Sequence, residues 1–188
     1  MDCKQTILSR KSIRDFSSEP IPQEIIDDMI LAAQYAPSCQ NRQPWRFIFV
    51  DNPTAIKKLA LHSGFIGKVN FFIKQAPLIV VACANPKNSC QLNEQSYYLV
   101  DVAIAFQQMI LIAWQHGVGS CWQAAFNEKK VRDILNIPNQ VKVVALSPFG
   151  FPKQKKSLYS KTVSQFAKSS KRLVKDKIVS FQKWNFKK

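Results

Sequence analysis

Apolar residues at Ile25, Ile26, Met29, Ile30 and Ala33 recur at the three- and four-residue steps of one helix face, which predicts an amphipathic helix from roughly Pro22 to Tyr35. Pro22 suits its first turn, and Pro37 ends it because a proline ring cannot continue the hydrogen-bond ladder. An apolar strand follows from roughly Arg46 to Val50, entered through Pro44, which holds the chain extended. Asn52-Pro53 starts a further helix through Leu59 and Leu61 to His62; Gly64 and Gly67 interrupt it, and a third helical piece carries Val69, Phe72 and Ile73. A short helix is also expected at Thr6 to Arg10.

The apolar run Leu78 to Cys83 has no alternation, as suits a strand covered on both faces. Asn85 to Ser89 reads as a loop. From about Gln91 to Gln115 the chain is apolar almost all round, which predicts a long helix that is central or lies at an interface. Glycine follows it at Gly117 and Gly119, in place to cap the helix. Ser120 to Phe126 continues as strand and loop, Glu128 to Leu135 as a short amphipathic helix, and Val141 to Leu146 as a strong strand closed by Ser147 to Pro152. No period repeats. The pattern predicts an α+β fold with few strands and many helices.

Composition narrows this to one globular domain: 188 residues, 46% hydrophobic and 11% aromatic, suffice for a sizeable core. Met1 to Gln5 has no apolar run of the kind a secretory signal needs, and the Leu99 to Trp114 stretch is broken by Asp101, Gln107 and Gln108. A cytoplasmic protein without membrane insertion is the expectation. Five cysteines (Cys3, Cys39, Cys83, Cys90, Cys121) form no CxxC pair, which argues against a disulfide framework and a zinc site and suits a reducing cytosol. With only two histidines, a metal cluster or a hydrolytic triad has little support.

Net charge is +15, but twelve Lys or Arg against one acid between Lys153 and Lys188 give that stretch +11, leaving +4 for residues 1–152. The natural division is a core, 1–152, and a basic extension, 153–188. Lysine-rich tails are most often solvated, and the alternative is affinity for nucleic acid or an acidic membrane through counterion release. Phe166, Phe181, Trp184 and Phe186 interleave the charges, so the reading preferred is aromatic anchoring on a second subunit, with nucleic-acid binding not expected.

Three clusters carry candidate chemistry. Arg10, Ser12 and Arg14 alternate, so in an extended segment two cations and a hydroxyl share one face, suited to a phosphate monoester; Lys11 points the other way. Read alone, the segment is also an ordinary basic turn. Ala36-Pro37-Ser38-Cys39-Gln40-Asn41-Arg42-Gln43-Pro44-Trp45 is a proline-bounded connector whose hydroxyls and amides offer hydrogen bonds but no titrating acid or base, suited to the edge of a flat heteroaromatic ring. Its plain reading is a helix-to-strand turn. Gly119-Ser120-Cys121-Trp122-Gln123-Ala124 reads either as a core strand with a buried Trp122 or as backbone running past a ligand. It lacks the Rossmann fingerprint, since a helix precedes Gly117-Val118-Gly119 and position 122 is Trp.

These segments resemble motifs of the nitroreductase family. Residues 36–45 resemble its APSxxNxQPW signature, RKSIRDF its R-R-S-x-R-x-F start, Gly119 to Trp122 its G-T-C-W segment, and Gly150-Phe151-Pro152 its G-Y-P. Lys171-Arg172 with Asp176 to Val179 resembles its late R-K-P-L-E-E-I-V, with Val174 where the family has proline. The resemblance implies a nitroreductase-like α+β fold, a small mixed sheet flanked by helices, in an intertwined homodimer with FMN at the interface. It implies that Arg10, Lys11, Ser12 and Arg14 hold the phosphate and ring edge, with Arg172 reaching back to the phosphate and Lys171 in reserve. Pro37, Ser38, Cys39 and Asn41 would meet flavin bound mainly to the other subunit, Gln43 and Trp45 orienting that loop. The family has serine where Cys39 stands, so backbone contact is expected there. Trp122, Gln123 and Ala124 would pass the reactive edge of the ring, and Gly150 would allow close approach to it.

The activity implied is FMN-dependent oxidation of NADH or NADPH with reduction of nitroaromatics, quinones or similar small-molecule acceptors. Alternatives are other flavin chemistry of the same superfamily (dehalogenation, flavin fragmentation, heterocycle oxidation) and flavin storage without catalysis.

Overall fold

The computed structural model describes residues 1–63, 70–155, 157–166, 171–184 and 186. The chain divides into two compact units, Met1–Lys155 and Lys156–Lys188. In the first, helix α1 (Cys3–Ser9) opens with a capping box, Asp2 accepting from the Gln5 amide while Gln5 reaches back to Asp2. Helix α2 (Gln23–Gln34) starts behind Pro22 and buries Ile25, Met29 and Ala33, the face the spacing predicts. Strand β1 (Trp45–Val50) and helix α3 (Pro53–Leu61) follow, α3 capped by Asn52, which accepts from the amides of Thr54 and Ala55. A 3-10 turn spans Phe71–Gln75, burying Phe72 and Ile73; Gly64, Gly67 and Val69 lie outside the described residues.

Strand β2 (Leu78–Ala84) is buried at every position, as an unalternating apolar run requires. The expected long helix starts later than its apolar pattern indicated. Residues 91–96 instead form a hairpin of β3 (Gln91–Leu92) and β4 (Gln95–Ser96), turning through Asn93 and Glu94 at φ 51° and 61°. Two consecutive left-handed residues make the tight turn whose twist matches a hairpin, and they rule out a helix there. Helix α4 then runs Tyr97–Gln115 and closes through Gly117 at φ 81°, where the Val118 amide returns to the Ala113 carbonyl. By length and hydropathy α4 could cross a bilayer, but seven of its nineteen residues are buried inside the fold. Strand β5 (Gly119–Ser120), helix α5 (Glu128–Leu135) and strand β6 (Lys142–Gly150) complete this unit.

The sheet order is β1-β2-β6-β5 and each neighbouring pair is antiparallel. Among the described residues its one parallel pairing is an isolated bridge, Ser12 with Ser120. Alternate residues of β2 feed two cores. Val80 and Ala82 pack with Met29, Val102, Phe106 and Met109 of α2 and α4, while Ile79, Val81 and Cys83 pack with Leu59, Ile73 and Val131 on the other face. The sheet is therefore a middle layer between two helical ones, and burial pushes the Cys83 thiol up to about 12, with Glu128 adding to the shift.

One expectation about cysteine fails. Cys39 and Cys90 are disulfide-bonded, with Cα atoms 6.2 Å apart, leaving Cys3, Cys83 and Cys121 as free thiols. Spacing along the chain could not reveal the pair, because the bond joins residues 51 apart that only the fold brings together.

The second unit carries helix α6 (Leu158–Phe166) and a turn at Lys175–Lys177. Trp184 and Phe186 meet edge to face with ring centres 4.8 Å apart, and Lys175 Nζ lies 5.6 Å from the centre of the Phe181 ring.

Candidate functional site

The segment after α1 is stitched edge-on to the rest of the first unit. The Ile13 amide donates to the Ser120 carbonyl (2.8 Å), the Ser17 amide to Phe151 (2.9 Å), and the Lys153 amide to Asp15 (3.0 Å). Gly119 faces Gly150 across β5 and β6. A Cβ at Gly119 would stand 2.8 Å from Ile13 Cβ, and one at Gly150 2.7 Å from Pro77 Cδ. The close approach that glycine permits at Gly150 is thus to Pro77 and Phe16, inside the protein. Three sequence segments, 10–17, 119–123 and 149–153, form one cradle.

Within it, Arg10, Ser12 and Arg14 converge on Cys121. Burial raises that thiol's pKa; Arg14, hydrogen bonds with Ser12 and Gln123, and then Arg10 oppose the shift. All three are partly buried, whereas Lys11 is exposed with its Nζ 5.9 Å from the centre of the Trp114 ring. Among the described residues neither Arg10 nor Arg14 is paired with a carboxylate. Two partly buried guanidinium groups and a hydroxyl with no anion of their own are a donor set that fits a phosphate dianion.

Trp122 is 38% exposed, not buried, and lies against Phe106 with ring centres 5.0 Å apart. Cys121 and Gln123 point inward. The Cys121 amide donates to Ser147 Oγ and the Gln123 amide to Leu146, while Gln123 Nε2 donates to the Cys121 carbonyl. The alternate residues Trp122 and Ala124 face out. Gln123 therefore supports the strand from behind, and the outward backbone of Trp122 and Ala124 is what a ligand would meet.

The second cluster, Pro37 to Gln43, lies elsewhere. The Cys39 amide donates to Asp101 Oδ1 (2.9 Å), its thiol is in the disulfide, and its carbonyl accepts from Arg42. The Gln43 amide donates to Ser38 Oγ, and Gln43 Nε2 to Asn41 Oδ1. Trp45 is buried beneath the loop. Pro37, Asn41 and Gln43 are exposed and Ser38 half-buried.

Helix α4 touches both clusters. Asp101, near its start, holds Cys39, whereas Trp114, near its end, donates to Ser9 Oγ and lies by Lys11. Thirteen residues at a helical rise of 1.5 Å put these two anchor points roughly 20 Å apart, while Trp122 of the cradle meets the same helix nearer its start, at Phe106. In the sheet, β1 and β5 are the opposite edges. Lys171 and Arg172 are exposed, extended residues of the second unit, where Arg172 Nη1 donates to the Lys171 carbonyl.

Sequence reasoning passed over Asp101, 2% exposed, which also accepts from Ser89 Oγ (2.8 Å) and so fixes the 37–44 loop. Its signal was present: an acid inside an apolar helix must be satisfied by donors from elsewhere.

The nitroreductase family profile matches residues 7–64 and 67–151. A putative NADH dehydrogenase/NAD(P)H nitroreductase of Archaeoglobus fulgidus is 32% identical over 84% of this chain and 90% of its own length. A nitroreductase family protein from Clostridium novyi NT superposes with a TM-score of 0.79 at 36% identity, covering 84% of this chain and 89% of that one. An FMN-dependent nitroreductase from Clostridium difficile R20291 superposes with a TM-score of 0.77 at 25% identity, covering 96% and 99%.

Proposed function

Because the chain belongs to the nitroreductase family of oxidoreductases, we propose that it is an FMN-dependent NAD(P)H oxidoreductase acting as a homodimer, with nitroaromatics, quinones or similar electron-poor molecules as acceptors. The observation that carries the reading is the cradle: two partly buried guanidiniums and a hydroxyl beside Cys121, the guanidiniums paired with no carboxylate among the described residues, next to the exposed Trp122 and Ala124. When bound, FMN supplies ping-pong hydride chemistry, taking hydride from NAD(P)H and passing it to the acceptor. Arg10, Ser12 and Arg14 hold the phosphate. The outward amides of Trp122 and Ala124 offer hydrogen bonds to the ring edge and favour negative charge there. Gln123 and Ser147 keep that strand in place from the protein side.

The placement of loop and phosphate cradle at opposite edges of the sheet supports a site built from two chains, the loop of one copy facing the cradle of the other. An apolar trough along α4, lined by Leu99, Val100, Ala103 and Ile104, offers the surface for the second copy, with Leu99 and Val100 nearly half exposed. Small electron-poor substrates suit such a site, because the hydroxyl and amide side chains of the 37–43 loop offer hydrogen bonds without an acid or base of their own.

The test is direct. Purified protein reconstituted with FMN and desalted should be yellow, and anaerobic NADH or NADPH should bleach it, the colour returning with a quinone. Protein that holds flavin but is bleached by neither nucleotide is a storage protein; protein that cannot retain FMN overturns the assignment.

A further inference from the structure

The 37–44 loop is fastened to the chain before α4 by one covalent bond and a shared carboxylate. Cys39 is bonded to Cys90, and beside the bond Asp101 accepts from the Cys39 amide through Oδ1 and from Ser89 Oγ through Oδ2. Arg42 Nη1 adds a contact to the Ser89 carbonyl at 3.3 Å. Inside the loop Gln40, Asn41 and Gln43 stand at φ 53°, 53° and 46°. None is glycine, and side chains hold this left-handed conformation only where the surroundings enforce it. The fastening and the enforced backbone coincide within five residues.

The rest of the cysteine pattern is not that of an extracellular scaffold. A single bond stands beside three free thiols, two of them buried in the core. A lone bond of that kind, on a loop rather than across a core, has the character of a redox-responsive pair. Access is asymmetric: Cys90 is 6% exposed, while Cys39 is half-buried.

We propose that Cys39–Cys90 is a reversible dithiol–disulfide switch: oxidised, it holds the 37–44 loop in its enforced conformation; reduced, it lets the loop relax and loosens its closure over the ligand. The second clause rests on the flavin reading above; the first does not. The reductant is an external protein or small-molecule dithiol. One of its thiolates attacks Cys39 Sγ, breaking the bond and releasing Cys90 as a thiolate that takes a proton. The reductant's second thiolate then attacks the mixed disulfide, freeing Cys39, which is protonated in turn. Two electrons and two protons pass to the protein, and the reductant leaves as its own disulfide. Asp101 keeps its hold on the Cys39 amide in both forms, so the loop pivots about an anchor instead of unfolding.

The experiment compares the full chain as oxidised by glutathione disulfide, as reduced by dithiothreitol, and as the Cys90→Ser and Cys90→Ala variants. Alkylation and mass spectrometry should count three thiols before reduction and five after. Hydrogen exchange of the peptide spanning 37–46, which contains the bonded amides of Asn41, Arg42 and Gln43, should quicken at least tenfold on reduction. It should return on reoxidation, and both variants should stay at the reduced rate whatever the redox state. FMN release, followed by fluorescence, should quicken several-fold in the same samples. Five thiols in the glutathione-oxidised protein, or loop exchange that differs by less than twofold between the forms, overturns the switch. Altered exchange with unaltered FMN release overturns its action on the site. Failure to bind FMN in either form overturns the flavin reading alone, and loop exchange still decides the switch.

Discussion

Arg10 and Arg14 reach the buried Cys121 thiol by charge, yet no carboxylate among the described residues neutralises either. Partial burial makes such cations expensive to leave unpaired, which is why a dianion is the natural occupant. Each charge-assisted contact to phosphate contributes about 1.5–3 kcal/mol. Arg10→Ala combined with Arg14→Ala should therefore weaken FMN binding at least tenfold in a flavin fluorescence titration, with the thermal transition little moved. Unchanged occupancy at limiting FMN would remove the phosphate from this cradle. At this scale the sequence was informative wherever side-chain alternation decides geometry: the 10–14 stretch turned Arg10, Ser12 and Arg14 to one environment and Lys11 to another. The inward direction of Gln123 was not legible, because it depends on β6 accepting and returning its backbone hydrogen bonds through Leu146.

Helix α4 organises the molecule at the next scale, since its start anchors the loop and its end abuts the cradle. Asp101 is the one acid on its length. Asp101→Ala would leave the Cys39 amide and the Ser89 hydroxyl without an acceptor, each worth about 1–3 kcal/mol when buried. Urea unfolding should show a loss of roughly 2–6 kcal/mol for the alanine variant, from the same per-bond range. Asp101→Asn should recover part of it, since one amide oxygen can still accept. Equal stability of all three would mean that the loop is held without this carboxylate. The elements themselves were largely legible: α2 buries one periodic face, Ile25, Met29 and Ala33, and β2 is an unbroken apolar run buried at every position. The β3–β4 hairpin was not, since Gln91 to Ser96 carries no periodicity and its turn depends on Asn93 and Glu94 adopting left-handed angles. The Cys39–Cys90 pair was hidden for a different reason: it depends on tertiary placement, which five unpatterned cysteines do not encode.

For the whole molecule the decisive feature is that the loop leads into β1 while the phosphate cradle adjoins β5, the opposite edges of the sheet, which supports the proposal that the site is built from two chains. In the proposed two-fold dimer the loop of each copy meets the cradle of the other, and two sites form at once. The outer row of α4 is where such a contact would be felt first: Val100 and Ile104 lie one turn apart on its exposed side. Val100→Glu with Ile104→Glu places four like charges, two per chain, at the symmetric contact, and burying unpaired carboxylates costs several kcal/mol. The variant should run as a monomer in size-exclusion chromatography with light scattering at concentrations where the parent is a dimer. Its far-ultraviolet circular dichroism should stay close to the parent's: Val100 is 45% exposed, and Ile104, though it packs partly against the core, lines the open trough. FMN affinity should fall at least tenfold, because each cradle would lose the other chain's loop. A folded monomer that binds FMN as tightly as the parent would place the whole site within one chain and overturn the two-chain site.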